Sequence, residues 1–266
     1  MIRYSYMIID QLETFGGEKE IREFFDFVAA QGYEGVELNL REPAGVDLDQ
    51  VQRWLSEAGL GMPSFLTGEA YKDGICLSAP AAEARDGAVD RLTRYLDRAA
   101  QFDAILVVGL LQGLATDEPD PEVAGTRIAD CLARVARAAE AKGVEFVVEP
   151  VNHLQVGFHN SVAEVRALCA RVGSPALRPM VDTIHMNIED PSLTQPIIDC
   201  GADLRHVHLC ESNGALFGTG QIDFAAVLDT LEQIRYDGFA SIKVYRKTTH
   251  RAAVPHCIDY LRQLRD

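Results

Sequence analysis

The sequence has no CxxC pair, no surplus of basic residues, no long apolar run and no glycine-rich turn behind its first strand-like segment. Each absence excludes something. The cysteines, Cys76, Cys131, Cys169, Cys200, Cys210 and Cys257, lie scattered without the spacing of a disulfide framework, so the expected compartment is a reducing one, the cytoplasm. Lys and Arg number 25 against 40 Asp and Glu, a formal net charge of -15 with no local basic patch, which argues against nucleic acid as a partner. No stretch approaches the ~20 apolar residues of a membrane span. The opening MIRYSYMIIDQLE meets acidic residues before its apolar run reaches signal-peptide length, so neither membrane nor export is expected. No Pro/Gly/Ser-rich linker divides the chain, and residues 1–266 read as one domain. The one tryptophan, Trp54, falls in a helical run, where it serves packing and not sugar stacking.

Short β-type runs alternate with longer amphipathic ones throughout the chain. Strand candidates are 3–8, 35–39, 61–66, 104–108, 144–149, 178–182, 205–209 and 239–244. Helix candidates are 18–30, 48–58, 82–100, 121–141, 161–171, 194–200, 224–234 and 251–265. Gly32, Gly59, Gly143 and Gly173 each follow an apolar-periodic run as stop signals, and Ser161 and Asp223 stand where N-caps belong. A doubly wound sheet would want GxGxxG after its first strand, whereas residues 8–17 read IIDQLETFGG. Strand–helix units of this number and length close into an α/β fold, the (β/α)8 TIM barrel, whose active site lies at the carboxyl ends of the strands.

Those ends carry a constellation. The fifth strand exits through Glu149, the sixth through Asp182 with His185 behind it, and the seventh carries His206 and His208 on one face. A single strand-end carboxylate often only caps a helix or pairs with an arginine. Two carboxylates and an imidazole at one rank on successive strands suit a divalent ion such as Mn, Mg, Co or Zn, with room for a substrate oxygen. His185 could orient a substrate hydroxyl, and His206 sits one pleat deeper than His208. Glu37, Phe65 and His153 are further candidates for substrate contact at the barrel mouth. Gly218 and Gly220 shape a tight loop before the helix capped by Asp223, a helix end that could hold an anion such as phosphate.

The motifs GYEGVEL (32–38), VEPVNH (148–153), VGSPALRPMVDTIHMNIED (172–190), HVHLCESN (206–213) and GTGQIDFAAVLDTLEQIRYDGFASI (218–242) resemble the xylose isomerase-like barrel superfamily. The resemblance is greatest to its sugar isomerase/epimerase branch with the tagatose and psicose 3-epimerases. It implies a metal on Glu149, Asp182, His208 and a last strand-eight glutamate, with His185 contacting the sugar. In that family the two metal-bound glutamates exchange a proton on opposite faces of an enediolate. This chain reads SIKVYRK at strand eight and places Lys243 where the glutamate belongs. Gln155 stands where the family often has Glu, and is counted among the substrate contacts; Gly214 stands where it often has Arg.

Three outcomes are open for Lys243: a metal on three ligands with the amine aside, an ammonium in the metal's place paired with Glu149 and Asp182, or a silent site. Retained chemistry gives the working expectation, isomerisation or epimerisation of a small sugar or polyol with Glu149 and Lys243 as acid/base pair and His185 orienting oxygen. A sugar dehydratase or lyase and a non-catalytic sugar-binding barrel are the alternatives. The resemblance also implies a homodimer.

Overall fold

The computed structural model describes residues 2–245 and 248–265. Among these, the strands β1 (Arg3–Ile8), β2 (Gly35–Asn39), β3 (Ser64–Leu66), β4 (Ile105–Val108), β5 (Phe146–Val148), β6 (Leu177–Asp182), β7 (His206–Cys210) and β8 (Phe239–Lys243) pair in chain order. Every pair is parallel and β8 closes on β1, which is the expected (β/α)8 barrel.

β3 and β5 are shorter than their apolar runs suggest. Pro63, which has no N–H for the ladder, stands just before β3; β5 starts two residues late and ends before Glu149, which Pro150 follows. Around the barrel lie α1 (Glu18–Ala30), α2 (Leu48–Ala58), α3 (Ala82–Phe102), α4 (Pro121–Lys142), α5 (Val162–Val172), α6 (Thr183–Glu189), α7 (Gln195–Cys200), α8 (Phe224–Gln233) and α9 (His250–Gln263). Gly59, Gly143 and Gly173 end their helices in the left-handed conformation, and the side chains of Ser161 and Asp223 cap α5 and α8. The short α6 lacks apolar periodicity and starts where Asp182 accepts from the Ile184 amide. None of the described helices is long and apolar enough to cross a membrane.

Strand periodicity sorts the core into two layers. Tyr6, Leu38, Phe65, Leu106, Phe146, Val181, Val207 and Ile242 pack with the helices in one large apolar cluster. Ile105, Val107, Val147 and Met180 form a separate small cluster inside the barrel. The alternate positions of β1, β2, β3, β7 and β8 carry Ser5, Glu37, Ser64, His206, His208 and Ser241, all buried. The barrel interior is thus apolar on its β4–β6 side and polar on the other.

Candidate active site

Four side chains meet at the carboxyl ends of β5 to β8. Strand register sets Asp182 beside His208, and Cys210 beside Lys243. Lys243 Nζ donates to Asp182 Oδ2 at 2.7 Å and to Glu149 Oε1 at 3.2 Å. His208 Nδ1 lies 3.0 Å from the same Glu149 oxygen and 3.5 Å from Asp182 Oδ2. Asp182 does two jobs, because its Oδ1 caps α6 while Oδ2 takes the amine. That cap places His185 in the first turn of α6, over the same cluster.

Burial alone would lower the Lys243 amine, but the charges of Asp182 and Glu149 push it well above its ordinary range, so it is an ammonium. For both carboxyls burial is the largest single influence and pulls upward, but the Lys243 charge and the neighbouring histidines together outweigh it, holding them ionised. His208 is likewise pushed well above its usual value. Burial opposes its charge, yet Glu37, Asp182 and Glu149 surround it. His185 goes the other way, lowered chiefly by burial, and is neutral.

The tautomer of His185 follows from its neighbour. Asn152 Oδ1 accepts from the Leu154 amide at 3.1 Å, so the Asn152 amide nitrogen is the group facing His185 Nδ1 at 2.7 Å. An N–H there donates to Nδ1, which leaves the ring proton on Nε2. Nε2 stands 3.4 Å from Lys243 Nζ, a contact between two donors, and its N–H is left for an oxygen entering the cavity.

That cavity, about 140 Å³, is lined by the apolar Met7, Leu66 and Val107 together with Glu149, His185 and Lys243. Gly109 makes room for the Glu149 carboxylate: a Cβ there would stand 2.6 Å from Oε2. The remaining sequence candidates are distributed unequally. Gln155 lines the cavity at its exposed rim. His153 is exposed and tied to Glu189 Oε1 through its backbone N–H and Nδ1. Phe65 faces the helices, edge-on to Phe102, because it has the opposite parity from Leu66, which takes the wall position. Glu37 lies beneath the cavity, 2.6 Å from His206 Nε2 and 3.3 Å from His208 Nε2, and accepts from Ser64 at 2.8 Å. It braces His208 from below, while Asn39 on the same strand reaches the cavity.

Tyr245 was not evident from the sequence. Its ring lines the cavity and fills the space a side chain at 214 would need, with Cδ2 2.2 Å from where a Cβ would stand. Gly214 has φ +68°, so glycine is required twice over. The Gly218–Gly220 loop also has its occupant. Glu211 accepts from the amides of Ser212, Gly218 and Ile222, so the anion held in this loop is the protein's own carboxylate.

Glu149, Asp182 and His208 form a buried cluster whose ligand atoms lie within 4.8 Å of one another, the geometry of a cation site. As a metal site it would be atypical, because the fourth position holds an ammonium. A metal ion binds carboxylate oxygens at roughly 2.0–2.2 Å. Lys243 already donates to the Asp182 and Glu149 oxygens that such an ion would take, and two cations repel at this range. With Lys243 so placed, these residues do not fit a divalent ion.

A profile of the xylose isomerase-like TIM barrel family matches residues 25–264. The chain is 31% identical over 208 residues to the L-ribulose 3-epimerase of Mesorhizobium japonicum, covering 77% of this chain and 69% of that protein. It is 28% identical over 209 residues to the ketose 3-epimerase of Arthrobacter globiformis, covering 78% and 71%. The crystal structure of a D-allulose 3-epimerase from Methylomonas sp. superposes with a TM-score of 0.85 at 21% identity, covering 99% and 98% of the two chains.

Proposed function

The chain belongs to the xylose isomerase-like TIM barrel family, and from that premise we propose that it is an enzyme of the ketose 3-epimerase kind, moving a proton on a small ketose through an enediolate. The observation that carries this reading is the convergence of Glu149, Lys243 and His185 on one wall of a small cavity. Removing a proton beside a carbonyl needs a base on the carbon and donors on the oxygen where charge develops.

Glu149 is the base. Asp182 is fully enclosed, whereas Glu149 lines the cavity, with Oε1 held by Lys243 and His208 and Oε2 on the Gly109 side. Lys243, an ammonium, stabilises the enediolate oxygen by charge and is the acid of the pair: it returns a proton to carbon 3 on the face opposite Glu149, as inversion requires, and regains one from the protonated Glu149 across their 3.2 Å contact. His185 donates its Nε2 N–H to the neighbouring oxygen and orients the sugar. Gln155 at the rim and Asn39 deeper in can bind the remaining hydroxyls. The apolar side chains of Met7, Leu66 and Val107 in the lining leave water fewer partners there, which strengthens the charge interactions.

The similarity to proteins named L-ribulose 3-epimerase and ketose 3-epimerase supports a ketose as substrate and carbon 3 as the reacting centre. Unpaired thiols at all six cysteines agree with a cytoplasmic enzyme. A homodimer belongs to the same reading and is checked by light scattering. Incubation with ketopentoses and ketohexoses, followed by NMR and mass analysis, tests the function. An epimer or isomer of unchanged mass is expected. A product lighter by one water would make the protein a dehydratase, and sugar binding without any product would make it a non-catalytic barrel.

A further inference from the structure

A carboxylate and a divalent ion together carry one net positive charge, and one ammonium carries the same. Replacing the family's last glutamate by Lys243 therefore leaves unchanged the charge that this position and the metal contribute together when the metal is also gone, the proton on His208 being counted apart. The geometry agrees with the charge count. Lys243 Nζ stands between Asp182 Oδ2 and Glu149 Oε1, beside His208 and His185, at the point on which the ligand-type atoms of Glu149, Asp182 and His208 converge. We propose that the Lys243 ammonium is the resident cation of this site, so that the barrel works without a divalent metal.

Several features of the surroundings are built for that amine. It is 7% exposed and enters from the last residue of β8, and the Tyr245 ring lies 5.5 Å from it as a second neighbour that favours a cation. The Tyr245 ring can lie there only because position 214 has no side chain. Two of the three sequence departures from the family, at 214 and at 243, thus belong to one arrangement. The lysine side chain is also the right length. Its nitrogen is one bond farther from the backbone than a glutamate oxygen, so it reaches the position of an ion that a glutamate would only flank.

The ammonium can do part of what a metal does. It donates to an oxygen of the substrate and concentrates positive charge where the enediolate forms. It offers no open coordination position, so substrate must be held through hydrogen bonds from Lys243 and His185. This catalytic half of the inference rests on the epimerase reading, whereas the cation assignment does not.

The test is Mn2+ binding, read by isothermal titration and by the shift in Tm, on EDTA-treated wild type, Lys243→Glu and Lys243→Met, each checked for fold by circular dichroism. Lys243→Glu restores a fourth ligand and should bind one Mn2+ per chain about a hundredfold more tightly than wild type. Lys243→Met removes the amine without adding a ligand, and should bind Mn2+ more tightly than wild type even if the glutamate variant does not fold. Wild type that binds Mn2+ as tightly as either variant would overturn the proposal. Epimerase activity in wild type that survives EDTA supports the catalytic half. Absence of turnover together with the expected Mn2+ pattern would remove the epimerase reading and leave the cation assignment standing.

Discussion

Lys243 Nζ lies 2.7 Å from Asp182 Oδ2, joining the last residue of β8 to the last residue of β6 across the end of β7. The same Asp182 caps α6, so the pair fixes the amine, the carboxylate and the helix that carries His185. Both side chains are buried and the ion pair is shared with Glu149.

Removing one partner leaves two carboxylates with less counter-charge. Lys243→Met is expected to cost about 3–5 kcal/mol of stability, the range for an uncompensated buried charge. Urea unfolding of the variant against wild type measures it. A change below about 1 kcal/mol would mean that the carboxylates relax or protonate at little cost.

The Asn152–His185 contact sets a tautomer, and its loss should appear in kcat more than in KM. Asn152→Leu removes the donor to Nδ1 and should lower kcat about tenfold to a hundredfold, the scale seen when an imidazole loses its orienting partner. Nitrogen-15 NMR of the His185 ring should show Nε2 protonated in wild type and a mixture of tautomers in the variant.

Gly214→Ala places a Cβ against the Tyr245 ring at positive φ. A destabilisation of about 1–3 kcal/mol is expected from backbone strain alone. The ring must also shift, so KM for the sugar should rise. Gly214→Ala combined with Tyr245→Ala should recover stability relative to Gly214→Ala, which separates the clash from the strain.

A pH effect is expected at Asp190, which follows α6 and does not line the cavity. Burial raises the half-buried Asp190 to about 6, with Glu189 and Glu164 adding to the rise and the Val162 amide opposing it. A carboxyl raised in the fold favours its protonated form. Its contribution is full below the unfolded value, near 4, and is lost as pH rises through about 6. Asp190→Asn should therefore raise Tm at pH 7.5 and change it little at pH 4, which thermal melts at the two values check.

The barrel was legible in the sequence because apolar runs of two periods alternate and end in glycines whose left-handed conformation the structure shows at Gly59, Gly143 and Gly173. The strand ends were legible too, since Glu149, Asp182 and Lys243 each break an apolar run. What stayed hidden depended on side-chain direction and loop path. Phe65 and Leu66 are neighbours with opposite facing, and an uncertainty of one residue in strand phase exchanges them. Tyr245, Asn152 and Gly109 act through loops without periodicity, and α6 is too short to show an apolar stripe. The occupant of the Gly218–Gly220 loop, Glu211, lies only a few residues upstream, but its direction is set by the fold of the loop on itself.

The central claim is that Glu149 removes a proton beside a ketose carbonyl with the Lys243 ammonium in place of a divalent metal ion. The direct measurement is deuterium incorporation at carbon 3 of ketopentoses and ketohexoses in D2O, followed by NMR with EDTA-treated wild type and Glu149→Gln. The account predicts incorporation by wild type that EDTA does not diminish and that falls by a factor of about 100 or more in Glu149→Gln. Incorporation that appears only when Mn2+ is restored, or none from wild type on any of the sugars under either condition, would contradict it.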